Sequence, residues 1–248
     1  MMRALGVSTV VACALAASVV MLSPAQGAAP LLDAKPPVKK VLEKMPTFPA
    51  AGPVAVPTLT ARAKPSDAAR RVAIIHEFRD DYREQYVLAI RGTRDAKGVV
   101  WVQLRLQLRP NGTLGWVRAS QLELSTMHYK IVVHRGLRKI DLYRDGALVY
   151  DAAVAIGAPG RETPLGNYYV TARFIPDDPF LGVFAVETSA YSKLTEWPGG
   201  GLVGIHGTSA PQLIGQAVSH GCVRVLNSTA VQLRKFAPLG TPISIVAN

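Results

Sequence analysis

Beyond residue 58 the apolar residues come in short runs broken at close intervals by turn-forming residues, a spacing that admits strands and leaves little room for long helices. Between 59 and 124 the runs are Val72-Ala73-Ile74-Ile75, Tyr86-Val87-Leu88-Ala89-Ile90, Val99-Val100-Trp101-Val102-Gln103-Leu104 and Leu114-Gly115-Trp116-Val117. They are rich in β-branched and aromatic side chains, which suit a pleated, half-buried surface. The breaks between them, such as Asp95-Ala96-Lys97-Gly98 and Pro110-Asn111-Gly112, carry turn chemistry. A small all-β unit is expected over 59–124.

From 127 to 248 the strands lengthen. Tyr129-Lys130-Ile131-Val132-Val133-His134 and Lys139-Ile140-Asp141-Leu142-Tyr143 alternate as half-buried strands, and Arg144-Asp145-Gly146-Ala147 supplies a turn into a third at 148–156. Further strands are expected at 167–174, 183–188, 202–206 and 241–246. Asn227 or Ser228 is placed to cap a helix running to about Phe236, with Ala230, Leu233 and Ala237 on its apolar face. About 120 residues suffice for an independent core. The fold class expected is mainly β, with one or two helices in the second part. At 49% hydrophobic and 18% charged, the chain is neither wholly disordered nor collagen-like.

The N-terminal end reads as an export signal over 1–27. Arg3 is the positive flank, an apolar run follows to Leu22, and Ala25 and Gly27 supply the small residues of a cleavage site placed after Gly27. Retention of this run as a membrane anchor and acylation at Cys13 are the alternatives, so contact with the membrane is expected only through an uncleaved signal or a lipid. Residues 28–58 read as a linker, because eight of the 18 prolines fall between 30 and 65. Everything past 27 is then expected outside the cytoplasm, in the cell envelope. Of the two cysteines, Cys13 leaves with the signal, and Cys222 remains as a single thiol with no intramolecular partner. Lys and Arg total 28 against 17 Asp and Glu, a net charge of +11 that suits anionic surroundings. Export and the dispersal of the basic residues argue against nucleic acid as a partner.

Two segments concentrate reactive residues: Gly204-Ile205-His206-Gly207-Thr208 and Ser219-His220-Gly221-Cys222-Val223-Arg224-Val225. If the second is an extended strand, its period of two sets His220, Cys222 and Arg224 on one face. A free thiol is only a few per cent ionised at neutral pH, and cationic or imidazole neighbours lower its pKa. An unpaired cysteine after a glycine, flanked two residues away by His and Arg, reads as a nucleophile. Zinc is the physical competitor, since His206, His220 and Cys222 are zinc-type ligands, but no CxxC or HExxH pair accompanies them. No metal and no cofactor are expected.

The histidine-glycine-threonine at 206–208 and the Ser219-His220-Gly221-Cys222-Val223-Arg224 run beginning 11 residues after Thr208 resemble the signature of the L,D-transpeptidase catalytic domain. The upstream 157–168 segment, with Thr163-Pro164-Leu165-Gly166, is similar to that family's strand-loop-strand element. The resemblance covers 127–248. Gly115-Trp116-Val117-Arg118-Ala119-Ser120-Gln121-Leu122, with Trp101-Val102, resembles the closing strand and short turn of bacterial Src-homology-3-like barrels. The resemblance implies a small barrel at 59–124 followed by a mixed β-sandwich. It also implies Cys222 as nucleophile and His206 as base, the latter oriented by the main-chain oxygen of Gly207. On the same resemblance His220 is expected to shape the pocket or support the oxyanion, Ser219 to hold the loop, and Arg224 to bind a substrate carboxylate or favour the thiolate, with the N–H groups of Gly221 and Cys222 as candidates for the oxyanion hole.

The activity implied is two-step acyl transfer on peptidoglycan stem peptides, releasing D-alanine and forming 3→3 cross-links. Donor and acceptor stems and the anionic wall would be the partners, and carbapenems would acylate the thiol. A carboxypeptidase or protein-anchoring variant of the same chemistry, and a wall-binding scaffold without turnover, stand as alternatives.

Overall fold

In the computed structural model, residues 45–196 and 198–248 are described; the expected signal and the linker up to residue 44 lie outside them. The first sheet is formed by β1 (Ala50–Pro53), β2 (Thr58–Arg62), β3 (Arg71–His76), β4 (Tyr86–Arg94), β5 (Val100–Arg105), β6 (Leu114–Arg118) and β7 (Ser125–Thr126), in spatial order β3-β2-β6-β5-β4-β1-β7. Its antiparallel pairings place Leu59, Ala61, Val87, Ala89, Val102, Leu104 and Val117 in one apolar core. Residues 50–53 fall in the stretch read as linker, yet they pair with β4 along four residues, from Ala50 opposite Ala89 to Pro53 opposite Tyr86. The local signal there was proline content; the pairing comes from β4, more than thirty residues later in the chain.

The second part contains β8 (Tyr129–His134), β9 (Lys139–Arg144), β10 (Ala147–Ala153), β11 (Ile156–Gly157), β12 (Gly166–Phe174), β13 (Ala185–Tyr191), β14 (Leu202–His206), β15 (Ala217–Ser219), β16 (Val223–Arg224), α1 (Asn227–Phe236) and β17 (Pro242–Val246). Eight of these strands form a sheet in the order β10-β9-β8-β17-β12-β13-β14-β16, and β11 pairs in parallel with β15. The turn between β9 and β10 has Asp145 and Gly146 both at positive φ, as a two-residue hairpin of the right twist requires. Register explains the core: Ile131 lies opposite Leu142 and Val133 opposite Ile140, while Ile243 and Ile245 of β17 run parallel beside Ile131 and Val133. All six side chains therefore share one face, where they meet Val186, Val203, Ile205, Val223 and the Ala230 and Leu233 face of α1. Burial of each such aliphatic side chain contributes roughly 1.5–3 kcal/mol.

The helix has the expected extent and face, but Asn227 is its first residue and its side chain does not cap it. Asn227 Oδ1 instead accepts from the Thr208 and Val183 N–H groups at 3.2 and 3.3 Å. The first sheet rests on the outer face of the second through Ala51, Leu88 and Tyr169. Beside them, an Arg79 guanidinium N–H donates to Glu187 Oε1 at 2.9 Å, and Thr171 Oγ1–H donates to the same oxygen at 2.9 Å. Among the described residues no helix is long and apolar enough to cross a membrane.

Candidate active site

β14 ends at His206, held on both sides: Ala185 of β13 is its antiparallel partner and Arg224 of β16 its parallel one. Val203 and Ile205 point into the core, so Gly204 and His206 face away from it. The chain then passes tightly through Gly207. A side chain there would lie 2.3 Å from Asn227 Oδ1 and 3.0 Å from the Gly182 Cα, so only glycine fits between α1 and the segment leading into β13. The Gly207 carbonyl turns back and accepts from His206 Nδ1–H at 2.7 Å. A carbonyl only accepts, so this bond fixes the proton on Nδ1 and leaves the lone pair of the neutral ring on Nε2. His206 is 3% exposed. Burial, reinforced by the Arg224 charge and opposed by the Gly207 and Leu181 carbonyls, pushes its imidazole down to about 4.

The 219–225 segment is not the single strand expected. β15 and β16 belong to different sheets, and between them the chain bends at His220 and Gly221. Gly221 has φ of +120°, a conformation open to glycine, and a Cβ there would lie 2.9 Å from the Ser192 Cβ. The alternation inferred from sequence is therefore lost at the residue before the thiol. Ser219, 1% exposed, closes this bend: its hydroxyl donates to the Cys222 carbonyl at 2.5 Å and accepts from the Gly221 N–H at 3.1 Å. The Gly221 N–H is consequently engaged within the loop and is not aimed at a ligand. The Cys222 N–H has no hydrogen-bond partner among the described residues.

Cys222 keeps part of its surface accessible, but its sulfur is enclosed on most sides. The Gly204 N–H donates to Sγ at 3.3 Å. A Cβ built on Gly204 would be 4.0 Å from that sulfur and 3.8 Å from His206 Cδ2, so thiol and imidazole edge lie over the same glycine. Burial pushes the thiol up, and this outweighs the Gly204 N–H and the Arg224 charge, which pull it down. Arg224 thus pulls in the direction expected, towards the thiolate, but desolvation outweighs it, and thiol and imidazole both rest neutral at pH 7.

Arg224 is 7% exposed, has no ion pair among the described residues, and its buried Nε lacks a hydrogen-bond partner. Its guanidinium lies 4.6 Å from the centre of the Phe180 ring, which also tilts over His206 at 6.3 Å. His220 stays half-exposed; burial first, then the Arg161 and Arg224 charges, push its imidazole down. The 157–168 segment packs against this loop: the Ala158 N–H donates to the Ser219 carbonyl at 2.9 Å, and Thr163 Oγ1 accepts from the Gly157 N–H at 2.9 Å. All seven residues singled out in the two segments therefore converge. Gly204, Phe180, Asn227 and Ser192 join them without having been read as site residues. Gly204 lay inside a quoted motif and Asn227, three residues past Arg224, was read only as a helix cap, whereas Phe180 and Ser192 arrive from distant segments. Among the described residues no group of three or more His, Cys, Asp and Glu side chains is arranged to hold a metal ion.

The site thus brings a buried neutral imidazole and a thiol together on a β scaffold beside a tight glycine loop, an arrangement of the kind cysteine-dependent acyl transfer requires. Residues 128–245 match the family model YkuD, described as the L,D-transpeptidase catalytic domain. The YkuD protein of Bacillus licheniformis, whose name proposes an L,D-transpeptidase, is 32% identical over 151 residues, covering 58% of this chain and 85% of that protein. The YkuD protein of Bacillus subtilis is 31% identical over 121 residues, covering 48% and 67%. Among solved structures, an L,D-transpeptidase from Mycobacterium tuberculosis H37Rv superposes with a TM-score of 0.44 at 15% identity, over 65% of this chain and 90% of that one. The chain belongs to the L,D-transpeptidase family and carries its catalytic domain.

Proposed function

We propose that this enzyme transfers acyl groups between peptidoglycan stem peptides through a thioester on Cys222. The observation that carries the reading is the shared position of the Cys222 sulfur and the His206 ring over Gly204, with the imidazole tautomer set by Gly207. His206 Nε2 takes the thiol proton as Sγ attacks the carbonyl of the L,D-peptide bond ending a tetrapeptide stem. The Sγ–C bond forms, the oxyanion is received by the Cys222 N–H, and the C–N bond breaks as the imidazolium returns the proton to the leaving D-alanine. The side-chain amine of a second stem then attacks the thioester, His206 accepts its proton, and the thiol is restored with a 3→3 cross-link formed.

Because both groups rest neutral, negative charge on sulfur arises only as the substrate carbonyl can accept it. Arg224, unpaired and close enough to act on both Cys222 and His206, favours that charge and also suits a substrate carboxylate. His220 shapes the rim of the pocket. The reading includes export to the cell envelope and a Src-homology-3-like module in the first sheet, its start moved to include β1. Incubation with a disaccharide-tetrapeptide tests it: release of D-alanine with cross-linked dimer is expected. Binding to sacculi with no D-alanine release from any donor refutes it in favour of a scaffold.

A further inference from the structure

The hairpin between β5 and β6 reaches from the first sheet to the end of β13 and the residues just beyond it. Asn111 Nδ2 donates to the Tyr191 carbonyl at 2.7 Å, and Asn111 Oδ1 accepts from the Tyr191 N–H at 3.0 Å. One side-chain amide thus satisfies both main-chain groups of Tyr191, as a neighbouring strand would. Arg109 donates to the Ser192 carbonyl at 2.8 Å and to the Gly200 carbonyl at 3.0 Å, with its guanidinium 4.7 Å from the centre of the Tyr191 ring. Regular pairing of β13 with β14 is interrupted just before this point, with a register shift between Glu187 and Tyr191, and resumes only with Tyr191 opposite Leu202. Ser192 is 3% exposed, and its other side is the surface against which Gly221 packs.

We infer that Arg109 and Asn111 are positioning residues for the nucleophile loop, holding Tyr191 and Ser192 so that Ser192 keeps Gly221, and with it Cys222, in register with His206. Neither residue touches the thiol, and neither belongs to the motifs that mark the family. The physical case rests on what releases if they are removed. Four hydrogen bonds and a stacked guanidinium go, two of the bonds being made by a charged donor. The segment then keeps only the end of its strand pairing, Tyr191 opposite Leu202 and the Ser192 N–H bond to the Gly201 carbonyl at 2.8 Å. Gly221, at φ +120°, has the freedom to follow Ser192 if it shifts. A displacement near 1 Å at reacting atoms costs on the order of a hundredfold in rate, so even a partial shift is readable. The first sheet would on this account be part of the catalytic apparatus, and its hairpin would act on the thiol through one loop.

The inference rests on the reading of Cys222 as nucleophile, and the test separates the two. In the full chain, the Arg109→Ala/Asn111→Ala double variant, Asn111→Asp and Arg118→Ala are reacted with a carbapenem, and acyl-enzyme is followed by intact mass. Arg118 lies in the same sheet, stacked over Trp101 and paired with Asp67 at the surface, and makes none of these contacts. Per folded molecule, the double variant is expected to lose roughly tenfold in limiting acylation rate while the half-saturating concentration moves by less than about twofold. Asn111→Asp, which keeps the acceptor and loses the donor, falls between it and the parent, and Arg118→Ala matches the parent. A limiting rate within about twofold of the parent per folded molecule, or an equal loss in Arg118→Ala, overturns the inference. Labelling that persists in Cys222→Ala overturns instead the nucleophile reading beneath it.

Discussion

Lowering the pH from 7 to 4 charges a histidine that the fold keeps neutral, and the consequence can be worked from the site. His206 has an ordinary value of 6.5 when the chain is unfolded and about 4 when folded, because its ring is buried and faces Arg224. Between those values the unfolded chain binds a proton that the folded chain does not, so stability falls as pH falls through this window. Each pH unit is worth about 1.4 kcal/mol, which makes the loss roughly 3 kcal/mol by pH 4. His206→Gln removes the titration and keeps a donor for the Gly207 carbonyl. Carboxylates held low, such as Asp81 and Glu162 at about 2, lose their stabilisation at lower pH and do so in both proteins. The assay is urea unfolding at pH 7, 6, 5 and 4, with the difference between parent and variant plotted against pH. The parent is expected to lose about 3 kcal/mol relative to His206→Gln across that range. Parallel curves would refute the buried neutral imidazole, and with it the argument for a base with its lone pair on Nε2.

Two further outcomes follow from the same geometry. Arg224→Met removes the charge that helps hold His206 down and opposes the rise of Cys222, so the acid limb of the acylation rate moves to higher pH and the basic limb moves up as well; a profile unchanged in both limbs contradicts it. Gly221→Ala forces a side chain into positive φ and against Ser192, at a cost of about 1–3 kcal/mol in stability and a larger loss in acylation, measured by urea unfolding and intact mass; a change under about 0.5 kcal/mol contradicts it.

What could be read from the chain alone follows the range of the interactions concerned. The alternation in β8 and β9, the Asp145-Gly146 turn and the end of β14 at His206 are local and were legible. The strand expected through 219–225 failed because one residue, Gly221, leaves the extended region, and a glycine announces freedom without announcing its direction. Asn227 looked like a cap because its neighbours are helical; its oxygen is drawn instead to N–H groups 19 and 44 residues away. The thiol misled for a different reason. Its charged neighbours are visible in sequence, whereas the desolvation that outweighs them is a property of packing. The contacts of Arg109 and Asn111 join segments about 80 residues apart, with no periodic or compositional trace.

The central claim is that Cys222 carries the acyl group, and intact mass spectrometry of the protein after exposure to a carbapenem addresses it most directly. The parent is expected to gain one covalent equivalent, mapped by peptide digestion to Cys222, while Cys222→Ala gains none. An adduct of the same size on Cys222→Ala, or none on the folded parent, would contradict the account.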